Sequence, residues 1–115
     1  MSDTQNVAQV FACTAGTNDN DPIVTVIGPH SLSYDTWVLG STAGSMDVEV
    51  ALVGTTYLAT PIALLDATSL TPSTMVAATT AGKAVVFRGK FASIRVLQTG
   101  GTAVVAPSLV GYRTA

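Results

Sequence analysis

The sequence predicts an all-β domain: a single small antiparallel β-sandwich, jelly-roll-like, with little or no helix. Three observations carry that expectation. Val and Ile supply much of the apolar content and Thr is the commonest polar residue, and branched side chains suit a pleated, half-buried surface. Short runs of apolar/polar alternation recur between clusters of Gly, Pro, Asn and Asp, the pattern of strands joined by turns. No stretch of about ten residues combines helical apolar spacing with helix caps. With 115 residues the chain suits one core and leaves no room for a second. We read residues 7–115 as the domain and residues 1–6 as an N-terminal arm.

The elements follow in order. Residues 7–14, with Val10, Phe11 and Cys13, form a first strand, and the polar stretch 15–22 a turn. Residues 23–27 are a short apolar strand stopped by Gly28-Pro29-His30. Residues 32–39 are the next strand, followed by a small-residue loop at 40–45. Residues 46–53 show the clearest period-two signal: Met46, Val48, Val50 and Leu52 face one way, Asp47 and Glu49 the other. Gly54-Thr55-Thr56 turns the chain, and residues 57–60 pair back. Pro61 and Pro72 bracket a segment that fits either a short helix at 62–67 or an edge strand. Residues 74–78 read as a strand and 79–83 as a loop. Ala84–Arg88 and residues 91–99 then flank Gly89-Lys90 as a hairpin, since Gly supplies the positive φ of a tight turn. Val85 and Phe87 share one face, as do Ile94 and Val96. Gly100-Gly101 turns into a strand at 102–106, Pro107 interrupts, and residues 109–113 close the sheet edge.

Charge is scarce. Only 10 % of residues are charged, against about 25 % in a typical soluble domain. The surface is therefore built of Thr, Ser, Ala and Gly, which fits a protein packed against neighbours, because interface cores are depleted in charge. Net charge is −2 with five basic residues, Lys83, Arg88, Lys90, Arg95 and Arg113, too few and too balanced by acids for a nucleic-acid footprint. Nothing suggests binding to an anionic membrane, and no apolar run reaches the ~20 residues that span a bilayer. Cys13 is the single cysteine, expected as a small core residue. One cysteine forms no internal disulfide. The polar start of the chain lacks the basic region of a secretory leader. Both features fit a protein made in the cytoplasm.

The residues that could carry chemistry are few, and the expectation is that the chain is not an enzyme and holds no metal or cofactor. His30 is the single histidine. Ser31 or Ser33 with His30 and Asp35 can be drawn as a triad, but neighbours along one extended segment do not converge as a triad requires. Cys13 with His30 fares no better as a thiol pair. Asn18-Asp19-Asn20-Asp21 resembles the start of a calcium loop. The later positions that want Gly and Glu hold Ile23 and Pro29, so a turn closed by side-chain-to-backbone bonds is expected. Gly100-Gly101 lacks the Lys-Ser/Thr of a phosphate loop. Asp47 and Glu49 share a strand face, a solvated outer face and not a sugar-cleaving cleft. Tyr34, Trp37, Tyr57 and Tyr112 are candidates for a sugar-stacking platform, but aromatics of a small sandwich usually fill its core; Trp37 is expected there, near Leu39. Arg88 and Arg95, on adjacent arms of the expected hairpin, pair with Asp35, Asp47 or Glu49 or else contact a partner.

Several stretches together resemble small β-sandwich virion proteins of tailed bacteriophages, of the capsid decoration or cement type. They are Trp37-Val38-Leu39-Gly40-Ser41, Asp47-Val48-Glu49-Val50, Gly54-Thr55-Thr56-Tyr57, the run Val85-Val86-Phe87-Arg88-Gly89-Lys90-Phe91-Ala92-Ser93-Ile94-Arg95-Val96, and Gly100-Gly101-Thr102-Ala103-Val104. The similarity spans residues 32–112. It implies a protein made in the bacterial host cytoplasm and assembled in many copies, as homotrimers, on the capsid surface. There it would bind the major capsid protein at junctions between coat subunits and stabilise the head. The expected contacts are the arm Met1, Ser2, Asp3, Thr4, Gln5 and Asn6, together with Arg88, Arg95 and Tyr112. The alternative is a tail, fibre or receptor-binding module recognising a host surface glycan. Low aromatic content around Gly54 to Tyr57 argues against it.

Overall fold

The computed structural model describes residues 7–66, 72–73 and 84–113. Among these residues nine strands and one helical turn follow in the order β1 (Val7–Phe11), β2 (Pro22–Ile27), α1 (His30–Ser33), β3 (Thr36–Gly40), β4 (Ser45–Ala51), β5 (Leu64–Asp66), β6 (Pro72–Ser73), β7 (Ala84–Arg88), β8 (Ser93–Thr99) and β9 (Ser108–Arg113). They form two antiparallel sheets. One is six-stranded, in the order β1-β9-β3-β7-β5-β6; the other is three-stranded, β2-β8-β4. The expected all-β, two-sheet domain is what the chain forms.

Alternation puts the core between the sheets. Trp37 and Leu39 of β3, Val85 and Phe87 of β7, Leu64 of β5 and Leu109 of β9 point in from the large sheet. Met46, Val48 and Val50 of β4, Ile94 and Val96 of β8, and Ile23, Val24 and Val26 of β2 meet them from the small one. Trp37 is the hub, as expected of it. Its ring stacks on Phe87 at 6.0 Å and meets Tyr34 edge-on at 5.8 Å, and Phe11 packs beside it. Its Nε1–H donates to the Gly89 carbonyl at 3.1 Å, so the one polar atom of a buried ring is satisfied. Gly111 lies under this cluster: a Cβ there would stand 3.0 Å from both the Trp37 and Tyr34 rings.

The expected hairpin at Gly89-Lys90 does not form. β7 pairs with β3 and β5 in the large sheet, whereas β8 pairs with β2 and β4 in the small one. Residues 89–92 carry the chain across the sandwich. Gly89 takes φ +141°, and a Cβ there would meet the Phe91 ring at 2.5 Å, so glycine is required by a crossover and not by a hairpin turn. Two consecutive strands with inward apolar residues satisfy a hairpin and a pair of facing sheets equally well. Alternation alone does not separate the two.

Other boundaries shift for local reasons. The first strand ends at Phe11 and not at residue 14, because the Thr14 N–H already donates to the Ile23 carbonyl of the opposite sheet. Instead of a strand from residue 32, α1 intervenes, with the Ser31 hydroxyl on the Ala92 carbonyl and the Ser33 hydroxyl on the Pro29 carbonyl. The strand expected at 46–53 stops at Ala51, so Leu52 leaves the core face and is 64 % exposed. Tyr57 does pair back, against Ala51. Between Pro61 and Pro72 the strand alternative holds at Leu64–Asp66, where Leu65 and Asp66 pair with Val86 and Val85. Residues 102–106 make only single bridges, Val104 to Gly16 and Val105 to Ala43, and no strand. β9 does not close an edge; it lies between β1 and β3. The strand expected at 74–78 and the loop at 79–83 lie outside the described residues.

Candidate interaction surfaces

The two sheets present unlike outer faces. On the small sheet the central row is Thr25–Arg95–Glu49, running across β2, β8 and β4. Arg95 Nε donates to Glu49 Oε1 at 2.6 Å, and the guanidinium lies 4.2 Å from the Tyr57 ring centroid, a salt bridge capped by a cation–π contact. One row along, Asp47 faces Leu97. Burial, then the negative charges of Glu49 and Asp19, push the Asp47 carboxyl above its ordinary value. Asp47 and Glu49 share the outer face as expected, but they are half-buried and not fully solvated, and Glu49 is the partner Arg95 selects.

The large sheet carries a different pattern. Ladder pairing aligns Val10, Val110, Val38, Val86 and Leu65 in one row across five strands. All five are half-buried or exposed, and Val10 is 72 % exposed. The next row runs Ala8–Tyr112–Thr36–Arg88. Of the expected contact residues, then, Arg88 and Tyr112 share this face, two strands apart and flanking Thr36. Arg95 does not join them. Its placement beside Arg88 fails with the hairpin, since the two arginines sit on opposite sheets. The arm Met1 to Asn6 lies outside the described residues.

A third surface was not anticipated. β2 ends, β8 begins and β4 ends at the same pole of the sandwich. Ala92 ties this pole together, accepting from the Gly28 N–H and the Ser31 hydroxyl and donating to the Ala51 carbonyl. Around it stand Ile27, Leu32, Leu52, Val53 and Leu58, all exposed, with Val53 at 77 %. The signal was in the sequence: no charged residue lies between Glu49 and Asp66. It was passed over because Leu52 fitted the alternation of the strand before it.

The remaining candidates resolve into structure. Asp21 Oδ2 accepts from the Thr17 and Asn18 N–H groups, both at 2.9 Å, and Asp19 Oδ1 from the Gly100 N–H at 3.0 Å. Those bonds hold the Asp21 carboxyl below its ordinary value, Asn18 contributing most. The acidic stretch is a closed turn clipped to the Gly100 loop. Gln98 is fully buried; its Oε1 accepts from the Val104 N–H and its Nε2 donates to the Gly100 carbonyl. Cys13 is half-buried against the core, not fully inside it, and burial raises its thiol pKa. His30 is exposed, its ring edge-on to Phe11 at 6.3 Å. Of the four aromatics considered as a stacking platform, Trp37 and Tyr34 are in the core, Tyr57 lies under Arg95, and Tyr112 stands alone on the opposite sheet. No helix among the described residues is long and apolar enough to cross a membrane.

No protein-family model matches the chain, and no curated protein matches its sequence. Its fold is similar to that of a solved structure, the SPBc2 prophage-derived protein YomS, with a TM-score of 0.72 over 98 % of this chain and 99 % of that one, at 9 % sequence identity.

Proposed function

We propose that the chain is an accessory coat protein of a tailed bacteriophage, a decoration or cement protein that binds the outside of the head at junctions between coat subunits. The role is structural, with no chemistry of its own. The observation that carries this reading is the outer face of the six-stranded sheet: five aliphatic side chains in register across five strands, on a chain with 10 % charged residues. Monomers seldom leave contiguous apolar surface bare. A protein that lives among neighbours covers it, and many modest contacts then add through multivalency. The likeness in fold to a prophage-derived protein supports the phage setting. Arg88 and Tyr112, at the margin of the aliphatic row, supply the polar rim that such interfaces carry, and the arm Met1 to Asn6 reaches a neighbouring coat subunit.

Co-sedimentation with heads of the phage that carries the gene tests the proposal. A fixed ratio of this chain to major capsid protein is the expected result, and a chain that stays in the supernatant overturns it. Recovery on tails alone would move the protein to the tail or fibre class. Removing residues 1–6 is expected to lower occupancy while leaving the β-sheet circular dichroism intact.

A further inference from the structure

β1 is the edge of the six-stranded sheet, bonded to β9 on one side. Among the described residues nothing pairs with its other side. Sheet edges of natural proteins are normally blunted by charge, proline, a bulge or a covering segment. Both edges of the small sheet are treated in that way: the Leu58 and Ile62 N–H groups donate to Val50 and Val48 of β4, and the Thr14 N–H donates to Ile23 of β2. Among the described residues β1 has none of these devices. Its sequence Val-Ala-Gln-Val-Phe holds no charge, glycine or proline, and its ladder with β9 runs unbroken from Val7↔Arg113 to Phe11↔Leu109. Gln9 is turned inward, its Oε1 accepting from the Tyr34 hydroxyl at 2.7 Å, so Ala8 and Val10 face outward.

We infer that β1 pairs antiparallel with β1 of a second copy of this chain, about a two-fold axis through Gln9. The strand is complementary to itself in that register. Val7 comes opposite Phe11, and Ala8 opposite Val10, so on the outer face a small side chain meets a large one twice. Val10 gains a neighbour in Ala8 of the second copy, and the aliphatic row of one sheet runs into the Ala8–Tyr112–Thr36–Arg88 row of the other. The charge arrangement permits it as well. Arg113, beside Val7 in the ladder, is carried by the two-fold to the opposite end of the junction in the second copy, so the two guanidiniums do not meet. An isologous contact also consumes both β1 edges and stops there, where a head-to-tail contact between two copies would leave one open. Five residues bury less than the ~800 Å² per partner of a standard interface, so the contact is reversible and forms at high local concentration.

The inference does not rest on the coat reading, and its test needs no phage. Sedimentation equilibrium of the full chain is expected to show an average mass climbing from 11.7 kDa toward twice that value as concentration rises. Val10→Lys, a change at an exposed position that leaves the fold intact, should remove the climb, whereas Leu52→Lys at the apolar pole should leave it unchanged. Amide exchange at Val7–Phe11 should slow with concentration in the wild-type chain only. No rise in mass up to about 1 mM protein, an undiminished rise in Val10→Lys, or a rise removed by Leu52→Lys in its stead would overturn the pairing. Binding to heads would stand or fall separately.

Discussion

The outer face of the three-stranded sheet and that of the six-stranded sheet are built by the same alternation, yet they are finished differently. The small sheet ends in an ion pair, a cation–π contact and a second carboxylate: Glu49, Arg95, Tyr57 and Asp47. The large one ends in Val10, Val110, Val38, Val86 and Leu65. A face that water covers needs groups that water solvates. A face that protein covers needs shape and apolar area. One small domain thus separates a side kept wet from a side suited to contact, and the core between them keeps the two apart.

The largest expected effect comes from removing what holds the two faces together. Trp37→Ala deletes the ring that stacks on Phe87 and anchors Gly89 at the crossover. A loss of about 3–5 kcal/mol is expected, read as a lowered urea midpoint.

Next comes the contrast itself. Val38→Lys, in the middle of the aliphatic row, should weaken binding to heads by about tenfold or more, the effect of losing one contact worth over 1 kcal/mol at an interface. Thr25→Lys on the small sheet should leave that binding unchanged. Titration of heads with each variant measures both, and equal losses would erase the distinction between the faces.

A smaller effect attaches to the wet face. Replacing Glu49 by Gln breaks a half-buried pair and should cost about 1 kcal/mol, and the cost should shrink in high salt.

The smallest effects are in pH dependence, where Asp47 and Asp21 have opposite signs. The folded Asp47 value is raised, so its contribution is full below the unfolded carboxylate value and is lost as pH rises through the folded one. Asp47→Asn should therefore melt higher than the wild type at neutral pH and lose that advantage in acid. The folded Asp21 value is lowered, so its contribution is present above the unfolded value and is lost as pH falls through the folded one. Asp21→Asn should flatten that acid limb. Melting curves between about pH 2 and 7 cover both carboxylates.

How much was legible beforehand differs from element to element. Alternation puts Val85 with Phe87 and Ile94 with Val96, and the structure buries both pairs, because the side-chain period of a strand depends on the strand alone. The pairing of β7 with β8 was misread, because Gly89 serves a crossover as well as it serves a tight turn. Arg95 was matched to Glu49 only as one of three acids, since a partner 46 residues away is chosen by register. Alternation groups Leu52 with Met46, Val48 and Val50, yet Leu52 is exposed, because alternation says which way a residue points but not where the strand stops. The row from Val10 to Leu65 was invisible: its members come from five separate strands and become neighbours only when β9 inserts between β1 and β3.

The sequence by itself determined that the chain folds as sheets, which side chains face inward, that Trp37 belongs to the core, and that the exterior is poor in charge. These are local properties, set by side-chain branching, by the two-residue period and by composition. The tertiary structure alone decided which strand lies beside which, and with that the aliphatic row, the place of β1 at the sheet edge and the apolar pole. Strand neighbours are selected by packing two sheets face to face, a free-energy balance over the whole core to which no single segment holds the answer.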